Sequence, residues 1–478
     1  MSLRSVCPVI LCSGRDQNFW PVSSDALPQQ FAKTGDAPSA FQQSLKAAFE
    51  LGLGPALVVA LSDHRHLVDD QIAEYGIPVR AVVGLPEDRG TSAAACAATE
   101  IVAAENPDTS MLLMLADRQV IHQRTIAEAI SAGYHLSDSG QFVSFGFPPG
   151  AGVPRSIAIE LAQGTSLSTS PQPVAQFLPT SDTAVAGEIA ATGRYMWGMQ
   201  LVLVSAKTLR GIYGRHAAPI RATVRRAVRE GQVNGKSHTL GACYSAADET
   251  SFFTSIMQHQ QGTVVPLASG SSTVENWRDA WQSAEKDRKG VRVEGNAQAH
   301  GCNDTYLASQ SDGMQVLGIG LSNIAVVATR DAVLVMDMDK TEELPTVVRQ
   351  MEARPSSKSQ GPVLQLHPWG RTEMLQTGPT HRLRWVIIKP GCRIPTRSHL
   401  NRKENWVVVE GTGRVVRDGV TELICENDSV LIGKGQEYSI ENPGKATLKL
   451  VEVQTGPYLG DDDQEVVDTV YETADAEE

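Results

Sequence analysis

The chain has 478 residues, more than one ordinary hydrophobic core holds, so two or three domains are expected. Its 54 acidic and 42 basic side chains leave a formal net charge of -12, which argues against the broad basic face that nucleic acid requires. No apolar run is long enough to span a membrane, the N-terminus lacks the pattern of a signal peptide, and the seven cysteines form no CxxC pair. A reduced, cytoplasmic chain without a structural zinc site is expected.

Residues 6–11 are short, apolar and β-branched, the pattern of a buried parallel strand. The turn after it, Ser13-Gly14, lies where open α/β sheets bind ligands, outside the carboxyl ends of the strands. Gly14 is therefore expected in a site, with Arg15 as its nearby cation and Asp16 opposing a polyanion. Residues 36–52 read as a helix starting near Ser39, with Phe41, Leu45, Ala48 and Phe49 at helical spacing. Strands follow at 56–61 and 79–83, separated by a helix over 63–75 that Gly76 ends. An alanine-rich helix begins near Thr91 or Ser92. Arg89, Thr91 and Ser92 thus belong to a strand-to-helix loop, which can hold an anion or be an ordinary cap.

Residues 111–115 form the next strand. Asp117 stands just beyond it, placed to hold a divalent cation against phosphates, with Arg118 able to neutralise it. A helix over 123–134 and a strand over 142–147 complete a doubly wound α/β pattern. The apolar run 195–204 suits a sheet edge and pocket wall. The arginine-rich stretch 206–230 reads as a solvated helical face. Short apolar strands at 316–321, 324–329 and 332–338 predict a separate β layer or small β-helix. A helix over 340–352 and a linker at 354–362 follow. From His367 on, short strands and Gly/Pro turns predict a β-sandwich or jelly-roll barrel. The expected domains are 1–285, 286–360 and 361–460, with an acidic tail over 461–478.

In the barrel, His399 and Glu404 flank a tight turn and can offer an imidazole and a carboxylate to a metal. Two ligands are fewer than a catalytic zinc takes. Arg397, two residues before His399, shares its face if that segment is extended, and would repel a cation. A metal site, a satisfied polar cluster and an anion site all stay open.

A set of short motifs runs in order through the chain: PVIL (8–11), FWPVS (19–23), LPQQF (27–31), RGTSAA (89–94), LAD (115–117), HPWG (367–370), ENWVVVEGTGRVV (404–416), ENPG (441–444) and VEVQTGPYLGDDD (451–463). In order and spacing the chain resembles the bacterial bifunctional mannose-1-phosphate guanylyltransferase / mannose-6-phosphate isomerase family, type II. The resemblance implies a Rossmann-like nucleotidyltransferase domain, a small left-handed β-helix-like region and a C-terminal cupin barrel. It also implies two reactions: joining mannose 1-phosphate to GTP with release of pyrophosphate, and isomerising mannose 6-phosphate.

The departures from the family fall on its charged positions. Asn18 stands at an Arg and Gln29 at the Lys of a Pro-Lys-Gln-Phe motif. Thr273 stands at the second metal carboxylate, Thr180 at a sugar-phosphate Lys, and Met196-Trp197-Gly198-Met199 at Asn-Ser-Gly-Met. Asp117 is kept, while Arg118 replaces the following His. The barrel's Gln, His, Glu, His metal set reads Arg397, His399, Glu404 and Tyr438. The expectation is a paralogue with degraded catalytic motifs, with Mg2+ held weakly at the N-terminal site and no tightly bound metal in the cupin barrel. Gly14, Arg89, Thr91 and Ser92 would frame a sugar-nucleotide or nucleoside-triphosphate site. The chain would form a homodimer or partner an active homologue. The alternative is an active GDP-mannose pyrophosphorylase that uses Arg15 or Arg118 as substitute cations and has lost the isomerase.

Overall fold

The computed structural model describes residues 3–13, 17–24, 26–33, 37–116, 123–148, 157–164, 168–179, 192–267, 274, 276–311, 313–353 and 363–467. The chain divides into two compact units, Met1–Pro345 and Thr346–Glu478. No helix among the described residues is long and apolar enough to cross a membrane.

The first unit begins with β1 (Cys7–Cys12), α1 (Ala40–Glu50), β2 (Ala56–Leu61), α2 (Arg65–Tyr75), β3 (Val79–Leu85), α3 (Gly90–Glu105), β4 (Ser110–Leu115), α4 (Gln123–Asp138) and β5 (Val143–Phe147). Strands β3, β2, β1 and β4 lie side by side in parallel, all nearly fully apolar, as strands covered on both faces must be. One face packs on α3 and the other on α1 and α4. Ser39 caps α1 reciprocally: its hydroxyl accepts from the Gln42 amide at 3.1 Å, and the Gln42 side chain accepts from the Ser39 amide at 3.1 Å.

Next come β6 (Ile157–Leu161), β7 (Gln172–Pro179) and β8 (Tyr195–Ser205). The run expected at a sheet edge is instead the interior strand β8, antiparallel to β4, β5 and β6. A continuous apolar run fits an interior strand, and its periodicity carries no record of which neighbours it takes. The arginine-rich stretch is two helices, α5 (Ala206–His216) and α6 (Ala218–Glu230). It is not wholly a solvated face: Arg221 and Arg210 reach the buried Glu100 of α3 at 2.7 and 3.5 Å. The sheet is completed by β9 (Gln232–Asn234), β10 (Ser237–Thr239) and, after the short α7 (Phe252–Ser255), β11 (Thr263–Pro266), making 11 strands.

After α8 (Trp277–Ser283), five short strands follow: β12 (Arg292–Glu294), β13 (Ala297–His300), β14 (Tyr306–Ser309), β15 (Val316–Ile319) and β16 (Ile324–Ala328). β12, β14 and β16 stack in parallel in one sheet, and β13 and β15 in another, as successive coils of a β-helix do. β17 (Val333–Asp337) closes the stack antiparallel to β16. α9 (Leu344–Glu352) follows. Trp277 fastens the coils to the α/β sheet. Its indole donates to the Trp20 carbonyl at 3.0 Å and lies against Phe19 and Tyr306, with ring centroids 5.2 and 5.6 Å away. Trp277→Ala should lower stability by about 3–5 kcal/mol, the range for truncating a buried aromatic. Denaturant unfolding checks this; a loss under about 1 kcal/mol would leave Trp277 without its anchoring role.

The second unit is a barrel of two sheets. Its strands are β18 (Leu364–His367), β19 (Gly370–Thr377), β20 (His381–Ile388), β21 (Arg393–His399), β22 (Lys403–Glu410), β23 (Gly413–Arg417), β24 (Val420–Ile424), β25 (Ser429–Ile432), β26 (Tyr438–Glu441), β27 (Leu448–Thr455) and β28 (Gln464–Val466). One sheet runs β18-β19-β20-β27-β22-β25 and the other β24-β23-β26-β21-β28. Alternate residues point inward and form one apolar core around Trp369, Val386, Trp406, Val415 and Leu450. Within the stretch expected as acidic tail, β28 pairs with β21.

Candidate functional site

Two places gather polar side chains. The first is the carboxyl edge of the α/β sheet, at the N-terminus of α3. Gly90 adopts a φ of 74°, which side-chain-bearing residues rarely do, and its Cα lies against the Thr250 backbone. The helix start is then covered by residues 250–255. The Ser92 amide donates to the Thr250 carbonyl at 3.2 Å. The Thr91 hydroxyl accepts from the Phe252 amide at 2.8 Å, and the Ser92 and Ser255 hydroxyls are 2.6 Å apart. The Gly90 amide donates to the Asp88 carboxylate at 2.9 Å, and Arg89 pairs with Glu87 at 2.9 Å. A helix start offers free amides to an anion, and here the chain's own atoms take two of them. Gly90→Ala would drive a methyl into the Thr250 carbonyl, and should cost more than about 1 kcal/mol through strain alone. An unchanged thermal midpoint would show that 250–255 is not packed in this way.

Beside this helix start lies a cavity of about 250 Å³. Leu11, Leu113, Leu115, Ile157, Phe252 and Phe253 form most of its wall, with Thr91, Gln200 and Ser251 as its polar members. None of the described residues lining it is charged. The nearby loop carrying Gln29 and Gln30 is tied to β1, because the Gln30 side chain donates through Nε2 to the Cys12 carbonyl at 2.8 Å. Gln29 is buried, and its side-chain oxygen has no hydrogen-bond partner among the described residues. Gly14, Arg15, Asp117, Arg118, Thr180 and Thr273 lie outside the described residues.

The second place is the interior of the barrel. The cross-strand register sets Arg384 opposite Glu452, Glu452 opposite Trp406, and Glu404 opposite Gln454. Arg397 and His399 point inward from β21 and Tyr438 from β26. Glu404 is fully buried and receives donors from several sides: His399 Nε2 at 2.8 Å, Tyr438 at 2.9 Å, Gln454 at 2.9 Å and Trp406 at 3.2 Å. Arg402 stands 3.6 Å from the same carboxylate. Arg384 bonds to Glu452, and Arg397 lies 3.7 Å from Glu452 and over the Tyr438 ring. Burial alone would raise the Glu404 carboxyl, but the His399 hydrogen bond and the charge of Arg397 hold it well below the usual carboxylate range. Burial lowers His399 despite Glu404, and burial raises Tyr438 despite Arg397. Burial and repulsion from Arg397 bring Arg384 down to about 10. His399 is therefore a neutral imidazole that donates through Nε2, and Tyr438 a neutral phenol that donates to Glu404.

Two family models match the chain: Nucleotidyl transferase over residues 7–282, and Mannose-6-phosphate isomerase C-terminal over residues 358–469. The alginate biosynthesis protein AlgA of Pseudomonas aeruginosa is 31% identical over 473 residues, covering 97% of this chain and 96% of its own. The chain belongs to the bifunctional mannose-1-phosphate guanylyltransferase / mannose-6-phosphate isomerase family. The mannose-1-phosphate guanylyltransferase RfbM of Salmonella typhimurium is 28% identical, covering 96% of each chain. A solved structure described as mannose-1-phosphate geranyltransferase, from Thermus thermophilus, superposes with a TM-score of 0.61 at 20% identity. It covers 73% of this chain and 100% of its own, and supports the fold alone.

A cupin barrel of this family implies a metal, and the residues present do not fit one. Among the described residues no group of three or more His, Cys, Asp and Glu side chains is placed to hold a metal ion. Glu404 spends its lone pairs on protein donors, and three guanidinium groups, of Arg384, Arg397 and Arg402, stand in the same interior. The guanidinium paired with Glu404 is that of Arg402, while Arg397 lies near Glu452. Sequence reasoning brought together His399, Glu404, Arg397 and Tyr438 and missed Arg384, Arg402, Glu452 and Gln454. A signal existed in VEVQT, where Glu452 and Gln454 alternate with apolar residues and so share one face. Residues 250–255 were missed as well, having no periodic pattern to mark them.

Proposed function

We propose that this family member is catalytically impaired at both sites, and acts as a binding, scaffolding or regulatory paralogue in the sugar-nucleotide pathway. The observation that carries the reading is the covered start of α3: Thr250, Phe252 and Ser255 engage the groups of Ser92 and Thr91 that would otherwise meet an anion. The uncharged Asn18 and Gln29 support it, since each stands where the family resemblance implies a cation. In the barrel, the arginine-rich network around Glu404 supports a metal-free interior without isomerase chemistry, because a proton-shuttling isomerase needs an acid or base open to substrate. Pairing with a second copy or with an active homologue would give such a chain its role.

Residual binding at the sheet edge is expected, weak and little changed by Mg2+. Calorimetric titration of the full chain with GTP and with GDP-mannose, with and without Mg2+, checks this. No heat and no thermal shift with either would remove the binding half of the reading. Tight binding that needs Mg2+, together with ordinary turnover on the same sample, would replace the reading with an active pyrophosphorylase that uses Arg15 or Arg118.

A further inference from the structure

The cavity beside α3 is suited to a ligand unlike a sugar phosphate. Its wall is built by side chains at the ends of β1 and β4, by Ile157 of β6, and by Phe252 and Phe253 of the segment that covers the helix start. A phosphate inside it would leave water without meeting a cation among the described lining residues, and burying an unpaired charge is strongly unfavourable. Three polar residues remain. The Thr91 hydroxyl already accepts from the Phe252 amide and keeps its own hydrogen to donate. The Ser251 hydroxyl lies 2.9 Å from that of Thr254. Gln200 completes the set.

Size narrows the class further. An apolar cavity of about 150 Å³ takes a benzene ring. This one measures about 250 Å³, enough for two fused rings. Its position at the carboxyl edge of a parallel sheet is where ligands of such folds bind. We infer that this cavity binds a neutral, mostly apolar, fused-ring small molecule of about the size of indole, with at most one or two polar atoms meeting Thr91 or Ser251. This goes beyond the proposed nucleotide binding and does not need it.

The test uses the full chain, with indole and naphthalene as neutral probes and mannose 1-phosphate as the charged comparison. Spectra of methyl-labelled methionine and isoleucine report from the cavity wall through Met114, Met257 and Ile157. Saturable shifts of these three signals with indole or naphthalene are expected, with a Kd of about 0.1–1 mM, as suits a ligand of so few atoms. Mannose 1-phosphate should leave them unmoved. Leu115→Trp, at a half-buried wall position, should weaken probe binding at least tenfold by filling the space. The inference is overturned if the wild-type signals do not shift, or shift only with mannose 1-phosphate. It is also overturned if folded Leu115→Trp binds as before. Should that variant not fold, the wild-type methyl shifts decide alone. GDP-mannose titrated separately keeps the two readings apart, since either ligand can bind while the other fails.

Discussion

Mixed with GTP, mannose 1-phosphate and Mg2+, the full chain is expected to release pyrophosphate more slowly than about 0.01 s⁻¹, against the roughly 10 s⁻¹ of a median enzyme. Transfer of a nucleotidyl group depends on fixed positive charge around the phosphorus and on the in-line placement of its neighbours. Removing one such preorganised donor costs about 10²- to 10³-fold. Two positions that the family resemblance assigns to cations are Asn18 and Gln29, and the buried Gln29 side chain adds only a dipole. The start of α3, the other source of positive potential, is covered by the 250–255 segment. These losses act on one site and need not multiply, so the expected rate is set well above the full product of the factors. A coupled pyrophosphate assay measures it directly. Turnover at about 1 s⁻¹ or faster would defeat the expectation. Loss of that turnover in Arg15→Ala or Arg118→Ala would then name the substitute cation.

The parts of this fold that were legible in the sequence are those written in local patterns. The Ser39 cap, the stop at Gly76 and the apolar strand runs each rest on a few neighbouring residues, and the elements fall within a few positions of their expected ends. The alternation of strand and helix marks the doubly wound class, while the order β3-β2-β1-β4 is seen only in the structure. What could not be read was pairing over long separations. β8 has the composition of a buried strand, yet nothing in 195–205 says that it enters beside β4 and holds β5 away from it. The cover over α3 joins Thr91 to Phe252, 161 positions apart, through a helix of four residues that is too short to leave a periodic trace. In the barrel, His399 and Glu404 stood out because an imidazole and a carboxylate flank one tight turn. Arg384 and Arg402 did not, because an arginine in a strand or turn is usually a surface group. Their burial arises from the register that sets Arg384 against Glu452, and from the hydrogen bond of Arg402 to the Gly460 carbonyl at 2.8 Å.

That buried network makes Glu404→Ala the substitution expected to harm the barrel most, by about 3–5 kcal/mol, the range for breaking one side of a buried ion pair. The loss comes from what is left behind. His399, Tyr438, Gln454 and Trp406 would each lose a buried acceptor, and Arg402 its nearest negative charge. The wild-type barrel should also weaken in acid, and the sign follows from Glu404. Its carboxyl titrates below the ordinary value in the folded state, so folding favours the ionised form. That stabilisation is fully present above about pH 4.3, the unfolded value, and is lost as pH falls toward the folded one. Hydrogen exchange on β22 and β27 in the full chain, followed from about pH 7 to about pH 2, reads the barrel separately from the first unit. Protection should hold down to about pH 5, fall progressively below about pH 4 in the wild type, and change more gently in Glu404→Gln, which cannot ionise. Protection in Glu404→Ala within about 1 kcal/mol of wild type would show that the carboxylate is not the centre of the network. Stoichiometric zinc, cobalt or manganese in protein purified without chelator, lost in His399→Ala, would show that these side chains serve a cation instead, and would account for their burial in a different way.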